Sequence, residues 1–195
     1  MLEWINKVDR ELLYDINYHH SPFWDGVMWF ASGTFSWVPF YVLLLLLLVL
    51  KYKKQSWLLI ALIVPLIVIS DQFASGLIKN IVQKPRPSHT AGIEDNLHYL
   101  YNYRGGLYGF ISSHAMNTFS LCFYLWFTVR KDIRWLPFIM FPWAFLVAYS
   151  RIYLGVHYPS DIIVPFFLSI LLGYGMSRVY FYWKKRNHST GRIKE

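Results

Sequence analysis

Apolar residues in this chain gather into long runs, broken by short charged or aromatic connections, without the half-apolar periodicity of a surface helix. A membrane-crossing helix needs about 20 predominantly apolar residues. Five segments are predicted to cross, at 36–50, 57–78, 115–129, 135–149 and 162–183. Trp37, Trp57, Trp135 and Trp183 fall near their ends, where indole rings favour the headgroup region. Ahead of them, Ile5, Leu12, Leu13 and Ile16 recur at near-helical spacing among charges, and 22–30 is short and aromatic-rich. Both pieces predict helices lying in the interface. An alternative extends 23–35 into a sixth span. The pattern thus predicts an all-α, polytopic membrane bundle of about five spans in one domain, 1–195. Within it, 1–33 form interfacial helices, 34–184 the bundle and 185–195 a basic tail.

Composition agrees. The chain is 55% hydrophobic and 20% aromatic, and only 15% of it is charged, against about 25% in ordinary soluble domains. The net charge of +8 is explained by topology. Lys51, Lys53 and Lys54 lie in the first connection and Arg130, Lys131 and Arg134 in the third. Lys184, Lys185, Arg186, Arg192 and Lys194 lie in the tail. Alternation puts these three regions on one face, expected to be cytoplasmic. The N-terminal stretch, with Lys7 and Arg10 balanced by Glu3, Asp9, Glu11 and Asp15, then lies outside. No nucleic-acid partner is implied. Cys122 stands alone in an apolar segment, so neither a disulfide framework nor a cysteine metal site is expected. The first twenty residues lack the apolar core of a cleavable signal.

The outer connections carry the chemistry. Lys79 and Arg86-Pro87 end the second span, Ile111-Ser112-Ser113-His114 opens the third, and Ser150-Arg151, His157 and Asp161 join the fourth to the fifth. Each group has an ordinary reading alone: an end anchor, an N-cap, a dipole partner. Together they converge on the face that the other basic residues avoid. Three fixed cations, Lys79, Arg86 and Arg151, suit the oxygens of a transferring phosphoryl group. Ser112 and the N–H groups of Ser113 and His114 offer an anion site at a helix start. His157 with Asp161 forms a nucleophile or base with an orienting carboxylate, leaving His114 free as general acid. No ligand cluster in the sequence suggests a metal. Asp71, Ser75 and Lys79, four apart, are expected to share a helical face, with Asp71 paired inside the bundle.

These patterns resemble the type 2 phosphatidic acid phosphatase superfamily, whose motifs read K-x6-RP, PSGH and SR-x5-H-x3-D. The resemblance spans about residues 23–184. It implies a phosphohistidine on His157 supported by Asp161, with His114 as acid and then base. Lys79, Arg86, Ser112, Ser113 and Arg151 would bind phosphate, with no cofactor and no metal. Ile111 and Ser113 replace the family's proline and glycine, which bears on the geometry of the anion pocket.

The expected activity is removal of phosphate from a membrane lipid at the outer face of a bacterial-type inner membrane, with the C-terminus cytoplasmic. Candidate substrates are a prenyl diphosphate, lipid A, phosphatidylglycerophosphate and phosphatidic acid. The partners are the lipid substrate and the bilayer; no obligate protein partner is inferred. The long outer connection, 85–110, is expected to cover the site, with Arg104 as a headgroup contact. Two alternatives are a lipid phosphotransferase and a non-catalytic phospholipid binder or transporter. The second leaves both histidines and Asp161 without a task.

Overall fold

A computed structural model describes residues 2–191, so Arg192 and Lys194 of the basic tail lie outside the described residues. Helices account for all regular structure there, apart from a single bridge between Pro85 and Tyr108. Two helices open the chain, α1 (Leu2–Tyr18) and α2 (Pro22–Ser32). Ser21 caps α2 by accepting from Trp24 N at 3.4 Å, with Pro22 in the first turn, where a missing N–H costs nothing. At 11 residues α2 reaches only about 16 Å at 1.5 Å per residue, half the hydrocarbon thickness.

The poly-leucine segment is α3 (Val38–Tyr52). Lys53, at φ +50 and ψ −127, then turns the chain. The next rod runs through α4 (Ser56–Ala61), α5 (Ile63–Asp71), a π-helical stretch (Gln72–Ile78) and α6 (Lys79–Val82). Leu44 and Leu45 of α3 face Ile63 and Ile67 of α5 across one cleft, so the two rods run antiparallel. After the long outer connection come α7 (Ser113–Val129), α8 (Leu136–Tyr153) and α9 (Ser160–Gly191). By length and composition, Phe35–Val82, Leu136–Tyr153 and Ser160–Asn187 can cross a membrane. The first of these stretches contains both α3 and the antiparallel rod that follows it.

α7 forms the axis. It packs on α9, α8 and α5, and most of its side chains are buried. Its contact with α9 is close because Gly173 has no side chain: a Cβ there would stand 2.7 Å from both Phe123 Cβ and Tyr124 N. The polar groups inside this seam are satisfied, with Ser120 donating to Ser169 and Ser169 to the Met116 carbonyl. Outward-facing residues are the reverse, with Leu50 75%, Phe138 79% and Leu171 69% exposed. An apolar belt of that extent suits contact with lipid.

The two ends of the bundle differ. At one end, Tyr52 donates to Asp132 at 2.8 Å, and Lys54 and Lys184 line a common cavity. The three basic regions of the described chain therefore gather there. The other end holds α1, α2, the long connection and the chemical motifs. α1 packs on α8, and its buried Asn17 bonds the carbonyls of His98 and Tyr153 at 3.0 and 2.8 Å. It is thus a docked part of the fold, more closely held than a helix merely resting in the interface.

Candidate active site

Four elements converge at that end. The rod ending in α6 carries Lys79; the connection that follows carries Arg86. The start of α7 carries Ser112, Ser113 and His114, and the α8–α9 junction carries Arg151, His157 and Asp161. A two-rung pairing fixes Arg86, because its N–H donates to the Leu107 carbonyl at 3.0 Å and Gly109 N donates to the Lys84 carbonyl at 2.9 Å. Gly109 permits the approach: a Cβ there would lie 3.0 Å from Asp161 Oδ2 and 3.1 Å from Arg86 Cγ. Ser112 N donates to the Asp161 carbonyl at 2.9 Å, tying α7 to α9.

His157 is 1% exposed and sits between two charged groups. Its Nδ1 lies 3.3 Å from Asp161 Oδ2, and its Nε2 lies 2.9 Å from Arg86 Nη1. A guanidinium only donates, so Nε2 must carry the lone pair and Nδ1 the proton. The Asp161 oxygen also accepts from Tyr158 N at 3.0 Å, which holds its orientation. Burial first, and then the charges of Arg86, Arg151 and Lys79, push the His157 pKa well below its usual range. The imidazole is therefore neutral near pH 7, with its Nε2 lone pair turned to Arg86.

The arginines are buried and incompletely bonded. Arg86 donates from Nη1 to the Val156 carbonyl at 3.1 Å; Arg151 donates to Ser32 Oγ and, at 3.0 Å, to Tyr103 OH. The Nε–H of each is buried without a partner among the described residues. Buried donors of this kind call for an acceptor. Burial, followed by the charge of Arg151, lowers the Arg86 pKa to about 10, so it stays cationic at neutral pH. Lys79 Nζ donates to Ser113 Oγ at 3.4 Å. A cavity of about 400 Å³ reaches His114, Arg151 and Tyr103. Through His114 and Thr34 it meets a second, and through Tyr41, Asn117 and Thr118 that one meets the apolar cleft between α3 and α5.

The eight residues expected to act or to bind phosphate thus lie around one end of α7. Ser112 is fully buried, with Oγ accepting from Ala115 N, so it caps α7. Ser113 begins the helix and is not among the residues with positive φ. The position therefore demands no glycine dihedrals, and its hydroxyl meets Lys79. Arg104 is directed elsewhere: it bonds Glu94 at 3.2 Å and lies over Tyr99 within the outer connection. Its neighbour Tyr103 instead faces the site, where its hydroxyl meets Arg151. Asp71 does pair inside the bundle, accepting from Asn117 at 3.4 Å. The π-helical stretch between Asp71 and Lys79 changes the assumed α spacing, a feature common at functional sites.

The sequence motifs give no role to Lys84, Asp9 or Ser32, and Tyr103 enters there only as part of the outer connection expected to cover the site. Their partners lie up to 151 positions away in the chain, so local pattern carries no signal for them. One group with metal-ligand spacing also forms outside these motifs, from His20, Asp25 and His98. Asp25 already accepts from Tyr153 at 2.7 Å and meets His98 at 3.1 Å, while the two rings stack in parallel at 3.7 Å. These bonds tie α2, α8 and the outer connection together.

The family model of the PAP2 superfamily matches residues 60–185. The lipid A 4'-phosphatase of Bacteroides thetaiotaomicron is 36% identical over 183 residues, which are 93% of this chain and 79% of that protein. The lipid A 4'-phosphatase of Porphyromonas gingivalis is 32% identical over 95% of this chain and 78% of its own length. The crystal structure of Aquifex aeolicus LpxE superposes with a TM-score of 0.62 at 26% identity, covering 86% of this chain and 93% of that one.

Proposed function

The chain belongs to the PAP2 superfamily, and on that footing we propose that this membrane lipid phosphatase works through a phosphohistidine on His157. The observation that carries the proposal is the pairing of His157: Asp161 on Nδ1 and the Arg86 guanidinium on Nε2. That pairing prepares a lone pair beside two buried arginines with unused Nε–H donors.

In the proposed reaction the phosphate accepts from Arg86, Arg151 and Lys79, and Arg86 moves from Nε2 to a phosphate oxygen. The Nε2 lone pair then bonds phosphorus while the P–O bond to the lipid breaks. His114 gives its proton to the departing alkoxide. The dianionic phosphate beside His114 favours the imidazolium needed for that step. Asp161 stabilises the positive charge left on the His157 ring. In the second half His114 takes a proton from water, whose oxygen attacks phosphorus as the P–Nε2 bond breaks, and inorganic phosphate leaves. The lipid tail would occupy the apolar cleft between α3 and α5. Ser112 supports the loop, and Arg104 stands at the outer rim within reach of a large headgroup.

Two relatives named as lipid A 4'-phosphatases favour a phosphate monoester on a lipid A type of glycolipid as the substrate. We further assign five crossings, with the site on the extracytoplasmic face and the C-terminus inside; the basic residues gathered at the opposite end support this orientation. The test is phosphate release in EDTA from lipid A, a prenyl diphosphate, phosphatidylglycerophosphate and phosphatidic acid. Wild type is expected to act without added metal and to prefer lipid A. His157→Ala should lose about 10⁴-fold or more in kcat. Substantial activity in that variant would refute the nucleophile, and loss of wild-type activity in the chelator would refute metal independence.

A further inference from the structure

The α1 helix reaches into the back of this site. Lys84 Nζ lies 3.3 Å from Asp161 Oδ1, on the oxygen that His157 does not use. The same ammonium lies 3.1 Å from Asp9 Oδ2 and 3.0 Å from Ser160 Oγ. Asp9 in turn accepts from Ser160 N at 2.8 Å and from Ser160 Oγ at 2.5 Å, so it also caps the start of α9. Asp9 and Asp161 are 4% and 0% exposed. Two buried carboxylates thus share one cation, held over the Tyr158 ring at 4.3 Å.

We propose that Asp9 and Lys84 are positioning residues that set the charge and aim of Asp161, and through it the reactivity of His157. This rests on the phosphatase reading above. Lys84 anchors one oxygen of Asp161, so the other stays directed at Nδ1–H. It also cancels one of two negative charges that burial would otherwise penalise. Asp9 holds Lys84 in place and keeps it from drawing Asp161 out of line with His157. The charged and titratable groups facing Asp161 are then Lys79 from α6, Lys84 and Arg86 from the connection after it, Asp9 from α1, with Arg10 lining the adjoining cavity, and His157 and Tyr158 from the α8–α9 junction. Among the described residues, Lys84 is the cation paired with the outer oxygen.

The test is a charge-balance cycle with Asp9→Asn, Lys84→Met and the double variant, which keep side-chain size nearly constant. Lys84→Met leaves two uncompensated carboxylates that cannot both stay ionised. Its kcat is expected to fall about 10–100-fold with KM within about twofold, and the acid limb of its pH profile to move up by about one unit. Removing the second negative charge in the double variant should restore part of that loss and return the acid limb. A packing defect would instead make the two losses add.

Melting temperature gives a readout that needs no turnover. Lys84→Met should be destabilised more at pH 8 than at pH 5, and the double variant should lose that pH dependence. If wild type releases no phosphate from the lipid panel, the functional reading fails, while the melting series still tests the charge balance. The proposal is overturned if Lys84→Met retains wild-type kcat and pH profile, or if the double variant is no better than Lys84→Met in both readouts.

Discussion

Both ends of this bundle are basic, yet they use their cations in different ways. At one end Lys51, Lys53, Lys54, Arg130, Lys131 and Arg134 are exposed. At the other, Arg86 and Arg151 are 8% and 2% exposed, and Lys79 and Lys84 are half-buried. A solvated cation costs little and contributes little beyond orienting the chain in the membrane. A buried one is costly unless its position gives it partners. The cations at the site end are held by carbonyls, hydroxyls and carboxylates, yet keep donors in reserve. What separates chemistry from topology here is burial with a remaining unused valence.

The largest break of that contrast is a paired substitution. Arg151→Ala should lower kcat/KM about 10³-fold, because a buried phosphate donor is lost. Arg134→Ala should change it less than about twofold. Equal effects on phosphate release would erase the distinction between the two ends. Next comes Gly109→Val, whose side chain would displace Asp161 Oδ2 and Arg86 together. A misplacement of that order is expected to cost about 10–100-fold in kcat, with melting temperature less affected. Gly173→Leu inverts the pattern. It forces α9 away from α7 far from the reacting groups, so stability should drop by about 1–3 kcal/mol, measured by thermal unfolding in detergent, while residual folded enzyme keeps its KM.

The smallest expected effect concerns pH. The folded pKa of His157 lies well below the unfolded value of about 6.5, for the reason of burial among cations. The folded state therefore keeps this ring neutral as pH falls through 6.5 while the unfolded chain takes up a proton. Stability should decline below that pH, by at most about 1.4 kcal/mol per unit from this one group. Over pH 6–8 the ring should stay a competent nucleophile. Proton uptake by His157 at pH 6.5 in the folded enzyme, seen by NMR of labelled histidine, would contradict this.

Much of the site was legible because its residues sit at helix ends, where short motifs determine who can meet whom. Ser112 to His114 open α7, and Arg151 and Asp161 lie on the helices flanking His157, so chain order alone brought them to one face. The all-helical class followed from the apolar runs, although α3 and the next rod connect through a helical turn at Lys53, not through an open loop. Asp9 was less legible. In sequence it is one charge in an amphipathic helix, and only the docking of α1 buries it against Lys84. The surroundings of Arg104 were not legible either. Glu94 and Tyr99 hold it within the outer connection, while Tyr103 beside it reaches Arg151. The π-helical stretch before Lys79 has no signature in the apolar pattern.

Rapid quench with a lipid substrate labelled in the phosphate shows whether phosphate is carried on His157. Labelled protein is expected during turnover, stable in alkali and released in acid as a phosphoramidate is, with the label on the peptide containing His157 and absent from His157→Ala. Full turnover with no labelled protein at any time point, or label persisting in His157→Ala, would contradict it.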